Sequence, residues 1–178
     1  MGAKGIQRFR CSRCPHRLTY LKGEPRQEGY IVLQFGQQYC TAGKKYRMFK
    51  KKDPKIYPPN WCPKLKKPCE FRVYDFKDAN TWYLHTLLKR KSPPDGYQYA
   101  VRLSGTVNLT PSAFFSMAKR KGASELLGVM VKIGEIVEID DGLTSNCFYL
   151  TLSGVKYLPY WDTARARKNE YACKNTDN

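Results

Sequence analysis

The sequence predicts an α+β fold in two parts. A small cysteine-rich module spans residues 1–72, and a compact domain spans residues 73–178, with a mixed or antiparallel sheet and helices on one face. Three observations predict it. Five of the seven cysteines fall between Cys11 and Cys69. Residues 1–72 hold 18 Lys and Arg against four acids, a net +14, whereas residues 73–178 hold 14 against 11, a net +3. Regular helical and twofold apolar patterns follow residue 73 and set a different character from the basic region before it.

A chain of 178 residues suits one ordinary domain or two small ones, and 42% hydrophobic content with 13 Tyr, 8 Phe and 3 Trp is that of a globular protein. No apolar run is long enough for a transmembrane helix. The opening MGAKGIQRFRCSRC lacks the apolar stretch of a signal peptide, and Ile6 stands where a myristoylation signal needs Ser or Thr. The expected location is therefore the cytoplasm, with no membrane partner.

In the N-terminal module, Cys11-Ser12-Arg13-Cys14 is a C-x-x-C pair, a spacing that lets one tight turn present two thiolates to a single tetrahedral ion. Cys40 and Cys62 follow, next to Tyr39 and Trp61. Together they make an expected four-cysteine site, Cys11, Cys14, Cys40 and Cys62, for structural Zn²⁺. Cys69 competes for the fourth position from the loop Trp61–Cys69, and His16 is a further candidate. An odd number of cysteines without an export signal does not suit a disulfide framework. In residues 1–29 the sizeable apolar side chains are Met1, Ile6, Phe9, Leu18, Tyr20 and Leu21, too few for a core. Metal would supply the missing folding energy, of order 10 kcal/mol in small zinc domains.

The cations of this module alternate with aromatic residues. Arg8, Arg10, Arg13 and Arg17 flank the first pair of cysteines. Lys44, Lys45, Arg47, Lys50, Lys51, Lys52 and Lys55 run through Tyr46, Phe49 and Tyr57, and Lys64, Lys66 and Lys67 close the module. So dense a positive surface expects a polyanion, of which nucleic acid (DNA or RNA) is the commonest. Phe49 and Trp61 are expected to pack around the metal site. Tyr39 to Lys52 is expected to form a short helix ending at Asp53-Pro54.

The second part reads as α-β-α-β-β-β-α. Asp78 caps a helix carrying Trp82, Tyr83, Leu84, Leu87 and Leu88, which Ser92-Pro93-Pro94-Asp95-Gly96 ends. Tyr97, Tyr99, Val101, Leu103, Val107 and Leu109 share one parity of a half-buried strand. Thr110-Pro111 starts a helix with Phe114, Phe115, Met117 and Ala118, stopped at Gly122. A second long strand is expected from Leu127 to Ile139, up to the Asp140-Asp141-Gly142 turn. Strands over Cys147–Leu152 and Val155–Tyr160 follow, and Asp162 caps a last helix.

Catalytic constellations are scarce. The two histidines are His16 and His85, and His85 sits among leucines as a packing residue. Neither a P-loop nor a G-x-S-x-G or G-x-G-x-x-G string occurs. The best acidic cluster is Glu135, Glu138, Asp140 and Asp141, in which Glu138 and Asp140 share a strand face. Such a pair would hold Mg²⁺ in a nuclease, but the solvent side of a strand leading into a hairpin turn explains it as well.

The strings CTAGKK (residues 40–45), FKKKDPKIYPPNWCP (49–63) and PCEFRVY (68–74) resemble small uncharacterised proteins of phages and mobile elements of gut Firmicutes. The IDDG of residues 139–142, the CFY of 147–149 and the LPYWDTARARKN of 158–169 are similar to the same group. The resemblance implies a setting, the cytoplasm of a bacterial host, in which anti-CRISPR proteins are common. It therefore adds a CRISPR nuclease as a partner. A net charge of +17 excludes a DNA mimic, so such an inhibitor would touch the nucleic acid of the complex or an acidic patch on the nuclease.

The expected function is that of a non-enzymatic, zinc-stabilised nucleic-acid-binding protein, in the form of such an inhibitor if the resemblance holds. Its rivals are a metal-dependent nuclease using the Glu135–Asp141 cluster and an interaction protein for an acidic partner.

Overall fold

In the computed structural model, residues 6–87 and 95–169 are described. They divide into one compact unit over residues 8–65 and a second over residues 6–7, 66–87 and 95–169. The terminator expected at residues 92–94, Leu88 and Cys173 lie outside the described residues.

The residue 8–65 unit opens with a single 3-10 turn, Cys11–Arg13, and has short strands: β1 (Arg17–Thr19), β2 (Arg26–Glu28), β3 (Ile31–Leu33), β4 (Gln38–Cys40) and β5 (Arg47–Met48). β1, β4 and β5 form a three-stranded antiparallel sheet in the order β1-β4-β5, and β2 and β3 form a separate hairpin. The helix expected over residues 39–52 is absent. Tyr39 and Cys40 face partners in both β1 and β5, an arrangement that leaves their backbone fully used in a sheet. Asp53 does not end a helix either: its carboxylate accepts from the Lys50 N–H at 2.8 Å and closes a turn.

Within this unit the buried hydrophobic side chains are Cys11, Tyr20, Leu33 and Cys40. Two large residues contribute only about 2–3 kcal/mol each by burial, so apolar packing cannot by itself offset the ordering of such a loop-rich chain.

The second unit contains β6 (Cys69–Phe76), α1 (Ala79–Leu87), β7 (Tyr99–Val107), α2 (Pro111–Lys121), α3 (Ala123–Leu127), β8 (Ile136–Asp140), β9 (Ser145–Thr151), β10 (Gly154–Leu158) and α4 (Thr163–Arg167). Its five-stranded sheet runs β10-β9-β8-β6-β7, with every pairing antiparallel. The chain is thus α+β. The expected boundary at residue 72/73 lies inside β6, between two residues of an internal strand. The sequence C-E-F-R-V alternates with Cys69, Phe71 and Val73 apolar, then the parity flips to Tyr74 and Phe76. The flip moves the apolar side chains from one face of the sheet to the other: the ladder with β8 runs regularly through Val73↔Val137 and Tyr74↔Ile136, and the β-bulge opposite this step adds Arg102 to β7.

Helices cover both faces of this sheet, where one covered face was expected. Phe114 and Ala118 of α2 and Ala123 and Leu127 of α3 pack on Phe71, Val73, Val137, Ile139, Phe148 and Leu150. Ala166 of α4 packs on the opposite face with Tyr74, Tyr99, Ile136 and Cys147. The long strand expected from Leu127 is replaced by α3 and a loop. Gly128 ends α3 with φ 67°, and the Ser124 hydroxyl receives the Val131 N–H at 2.9 Å, so regular pairing starts only at Ile136. The expected caps are present. Asp78 accepts from the Thr81 N–H at 2.7 Å, Thr110 from Ala113 at 3.3 Å and Asp162 from Arg165 at 2.9 Å. No helix among the described residues is long and apolar enough to cross a membrane.

Candidate metal centre and basic surface

The C-x-x-C pair sits on the 3-10 turn. The Cys14 N–H donates to the Cys11 carbonyl at 3.0 Å, and the Arg17 N–H to the Cys14 carbonyl at 3.0 Å. The Ser12 N–H anchors the turn on the Ile56 carbonyl at 3.2 Å. Cys40 is the cross-strand partner of Arg17, three residues past Cys14, and the Thr41 N–H reaches the His16 carbonyl at 2.9 Å. Cys62 closes a turn by donating its N–H to the Pro59 carbonyl at 2.9 Å.

Cys11 and Cys40 are buried, Cys14 and Cys62 half-buried, and all four are free thiols. Burial pushes the Cys11 thiol up. The Arg17 guanidinium, hydrogen-bonded to it, opposes that shift, while Cys14 and Cys62 are close enough to reinforce it. Among the described residues, no group of three or more His, Cys, Asp or Glu side chains is arranged to hold a metal ion. The donor chemistry nonetheless suits Zn²⁺, since thiols are its commonest structural ligands and the unit has few other means of cohesion. Cys69 stands elsewhere, in β6 within the sheet unit, where burial and then the charges of Asp141 and Asp140 push its thiol up.

Arg8, Arg10, Arg13, Lys44, Lys45, Arg47, Lys50, Lys51, Lys52, Lys55 and Lys64 are all exposed. Lys51 and Lys52 occupy the tip of the turn that Asp53 closes. Residues 8–65 carry 14 Lys and Arg against three acids, a net +11. Two of those acids are engaged locally: Glu28 pairs with Arg26 at 2.7 Å, and Asp53 takes the Lys50 amide and the Trp61 indole N–H.

Arg17 differs from the other cations. It is half-buried and donates to the Lys55 carbonyl at 2.8 Å and to the Gln38 side-chain oxygen at 2.6 Å, so it serves as an internal brace. Phe49 and Trp61 pack ring to ring at 5.1 Å, with the Arg17 and Arg47 guanidinium groups over them. Lys66 and Lys67 are exposed and belong to the sheet unit, where Lys66 pairs with Glu70 at 3.0 Å and Asp140 at 3.2 Å.

The acidic cluster is distributed over three separate tasks. Glu138 does not face solvent as expected: it is 0% exposed. Tyr74 donates to it at 2.6 Å, and Ser145, Arg72 and Arg167 complete its surroundings. Glu135 is gripped by Arg102 at 2.6 and 3.0 Å and receives the Lys132 N–H at 2.7 Å. Asp141 accepts the Leu143 and Thr144 N–H groups, and Asp140 that of Gly142. These carboxylates are committed to ion pairs and turn closure. The sequence signal for the buried network was the alternation of Glu70, Arg72 and Glu138 with apolar residues, a pattern equally typical of a half-solvated strand.

Fold and surface define an α+β protein with a strongly basic, thiol-bearing unit. No family model, curated protein or solved structure matches the chain.

Proposed function

We propose that the residue 8–65 unit is a zinc-stabilised nucleic-acid-binding module and that the chain acts by binding, with no chemistry of its own in that module. The observation carrying this reading is the net +11 of residues 8–65, with every cation but Arg17 exposed and two of the three acids engaged inside the unit. So concentrated a positive field repels itself in isolation and is relieved when it neutralises phosphates, which release their condensed counterions to solution. Zinc on Cys11, Cys14, Cys40 and Cys62 would link the first turn, β4 and the Pro59–Cys62 turn.

The test is a mobility shift of the full chain on DNA and RNA across a salt series. If about six phosphates are neutralised, the logarithm of affinity falls against the logarithm of salt with a slope near −5. Failure to bind either polymer at low salt overturns the reading and favours an acidic protein partner.

A further inference from the structure

We propose that the residue 8–65 unit takes single-stranded nucleic acid, with Tyr30 and Phe35 as the rings on which unpaired bases stack. This rests on the polyanion reading above and narrows it to one class of ligand.

Both rings stand at the tips of tight turns. In the β2–β3 hairpin, Glu28 faces Ile31, so Gly29 and Tyr30 form the two-residue turn, and Gly29 adopts the φ of 62° that such a turn needs. The second position is normally a small polar residue, yet here it holds a tyrosine that is 92% exposed. Phe35 lies in the turn from Gln34 to Gln37. That turn is closed by the Gln37 N–H on the Gln34 carbonyl and by the Gln34 N–H on the Gln37 side-chain oxygen, each at 3.0 Å. Gly36 and Gln37 are then fastened to Tyr20, one of the few buried residues of the unit, at 2.8 and 2.9 Å. Phe35 is 68% exposed on this anchored turn. The fold therefore leaves two aromatic rings largely exposed on hydrogen-bonded turns, which costs hydration free energy.

Charge identifies the occupant. The Lys45 ammonium lies 4.9 Å from the Tyr30 ring centroid, and Lys22, Arg26 and Lys44 are exposed in the same unit. A ring beside a cation matches a nucleotide, whose base presents a π-face and whose phosphate is an anion. In a duplex those faces are occupied by neighbouring base pairs, so turn-tip rings find partners only on an unpaired strand. An anionic membrane would also attract cations with exposed rings, but interfacial binding uses a continuous apolar face, and here the rings project singly from separate turns.

The experiment compares the full chain with Tyr30→Ala, Phe35→Ala and Tyr30→Phe by fluorescence anisotropy at one salt concentration. The probes are an oligothymidine of about 20 nucleotides and a duplex of the same length, with phosphatidylserine vesicles as a third arm. The expected result is tighter binding of the strand than of the duplex. Each alanine variant should lose about tenfold on the strand and under about twofold on the duplex, with Tyr30→Phe retaining affinity. Equal losses on both probes, no loss on the strand, or a loss confined to vesicles overturns the stacking site while leaving salt-dependent binding of the unvaried chain in place. Binding of neither nucleic acid at low salt overturns the polyanion reading as well.

Discussion

Arg17 holds its guanidinium carbon 4.2 Å from the centroid of the Phe49 ring. The same head group reaches the Lys55 carbonyl and the Gln38 side chain, so one cation ties β1 to β4 and to the segment after the lysine turn. Cations in this unit therefore divide into those that build it and those that face outward.

That division is measurable. Arg17→Ala should destabilise the residue 8–65 unit by about 1–3 kcal/mol, from a lost cation–π contact and two hydrogen-bond acceptors left unmet. The combined Lys50→Ala, Lys51→Ala and Lys52→Ala change should leave denaturant stability within about 0.5 kcal/mol. It should also flatten the salt slope of nucleic-acid binding by up to about 3. Unfolding curves and binding isotherms on both variants check the pair. Equal effects on stability would show that the lysines are structural too.

Zinc should be found at about one per chain by elemental analysis of protein purified without chelator. Cys11→Ser or Cys40→Ser should lower both zinc content and stability. Cys147→Ser, inside the sheet unit, should cost stability and leave zinc unchanged. On the proposed zinc reading, a strong chelator should melt the residue 8–65 unit and spare the five-stranded sheet. Full stability of the metal-free protein would remove zinc from the account.

The sheet unit was legible in the sequence wherever a local rule acted alone. Thr110-Pro111 and Gly122 fixed α2, and Asp162 fixed α4, because caps depend on a few consecutive residues. β6 was lost because its apolar side chains change face at Val73/Tyr74, and with both faces of the sheet covered the strand shows no single alternation. Residues 127–139 misled for the opposite reason: apolar residues at every second position resembled a strand, while Gly128 and the Ser124 side chain had already committed the backbone to α3 and a loop. Of the candidate site, the thiols and cations were visible as residue types. The engagement of Arg17, Lys66 and Glu138 with protein partners was not, since it depends on residues up to 74 positions away.

Glu138 is enclosed by Tyr74, Ser145, Arg72 and Arg167, which joins α4 to the centre of the sheet. Glu138→Ala should therefore cost about 3 kcal/mol, because it removes the one buried acceptor that Tyr74, Arg72 and Arg167 share. Arg167→Ala should cost less: Arg167 is partly exposed, and Arg72 still faces the carboxylate. Chemical denaturation of both variants gives the order, and a larger loss for Arg167→Ala would mean that α4 is held by that arginine alone.

Glu135 provides a pH dependence of definite sign. Burial pushes its carboxyl above the ordinary range, against the opposing pull of Arg102 and the Lys132 amide. In the folded state the group binds its proton more tightly than in the unfolded chain, so between the two pKa values the native state carries more protons. Its contribution to stability is therefore fully present below the ordinary glutamate value and is lost as pH rises through the raised folded one. Glu135→Gln removes this titration while keeping an oxygen for Arg102 and Lys132. The variant should lose stability relative to the parent at low pH and lose less of it as pH rises, so the gap between their urea midpoints narrows from about pH 4 towards neutrality. A gap that widens over that range would mean that the Arg102 pair outweighs burial and holds the carboxylate charged.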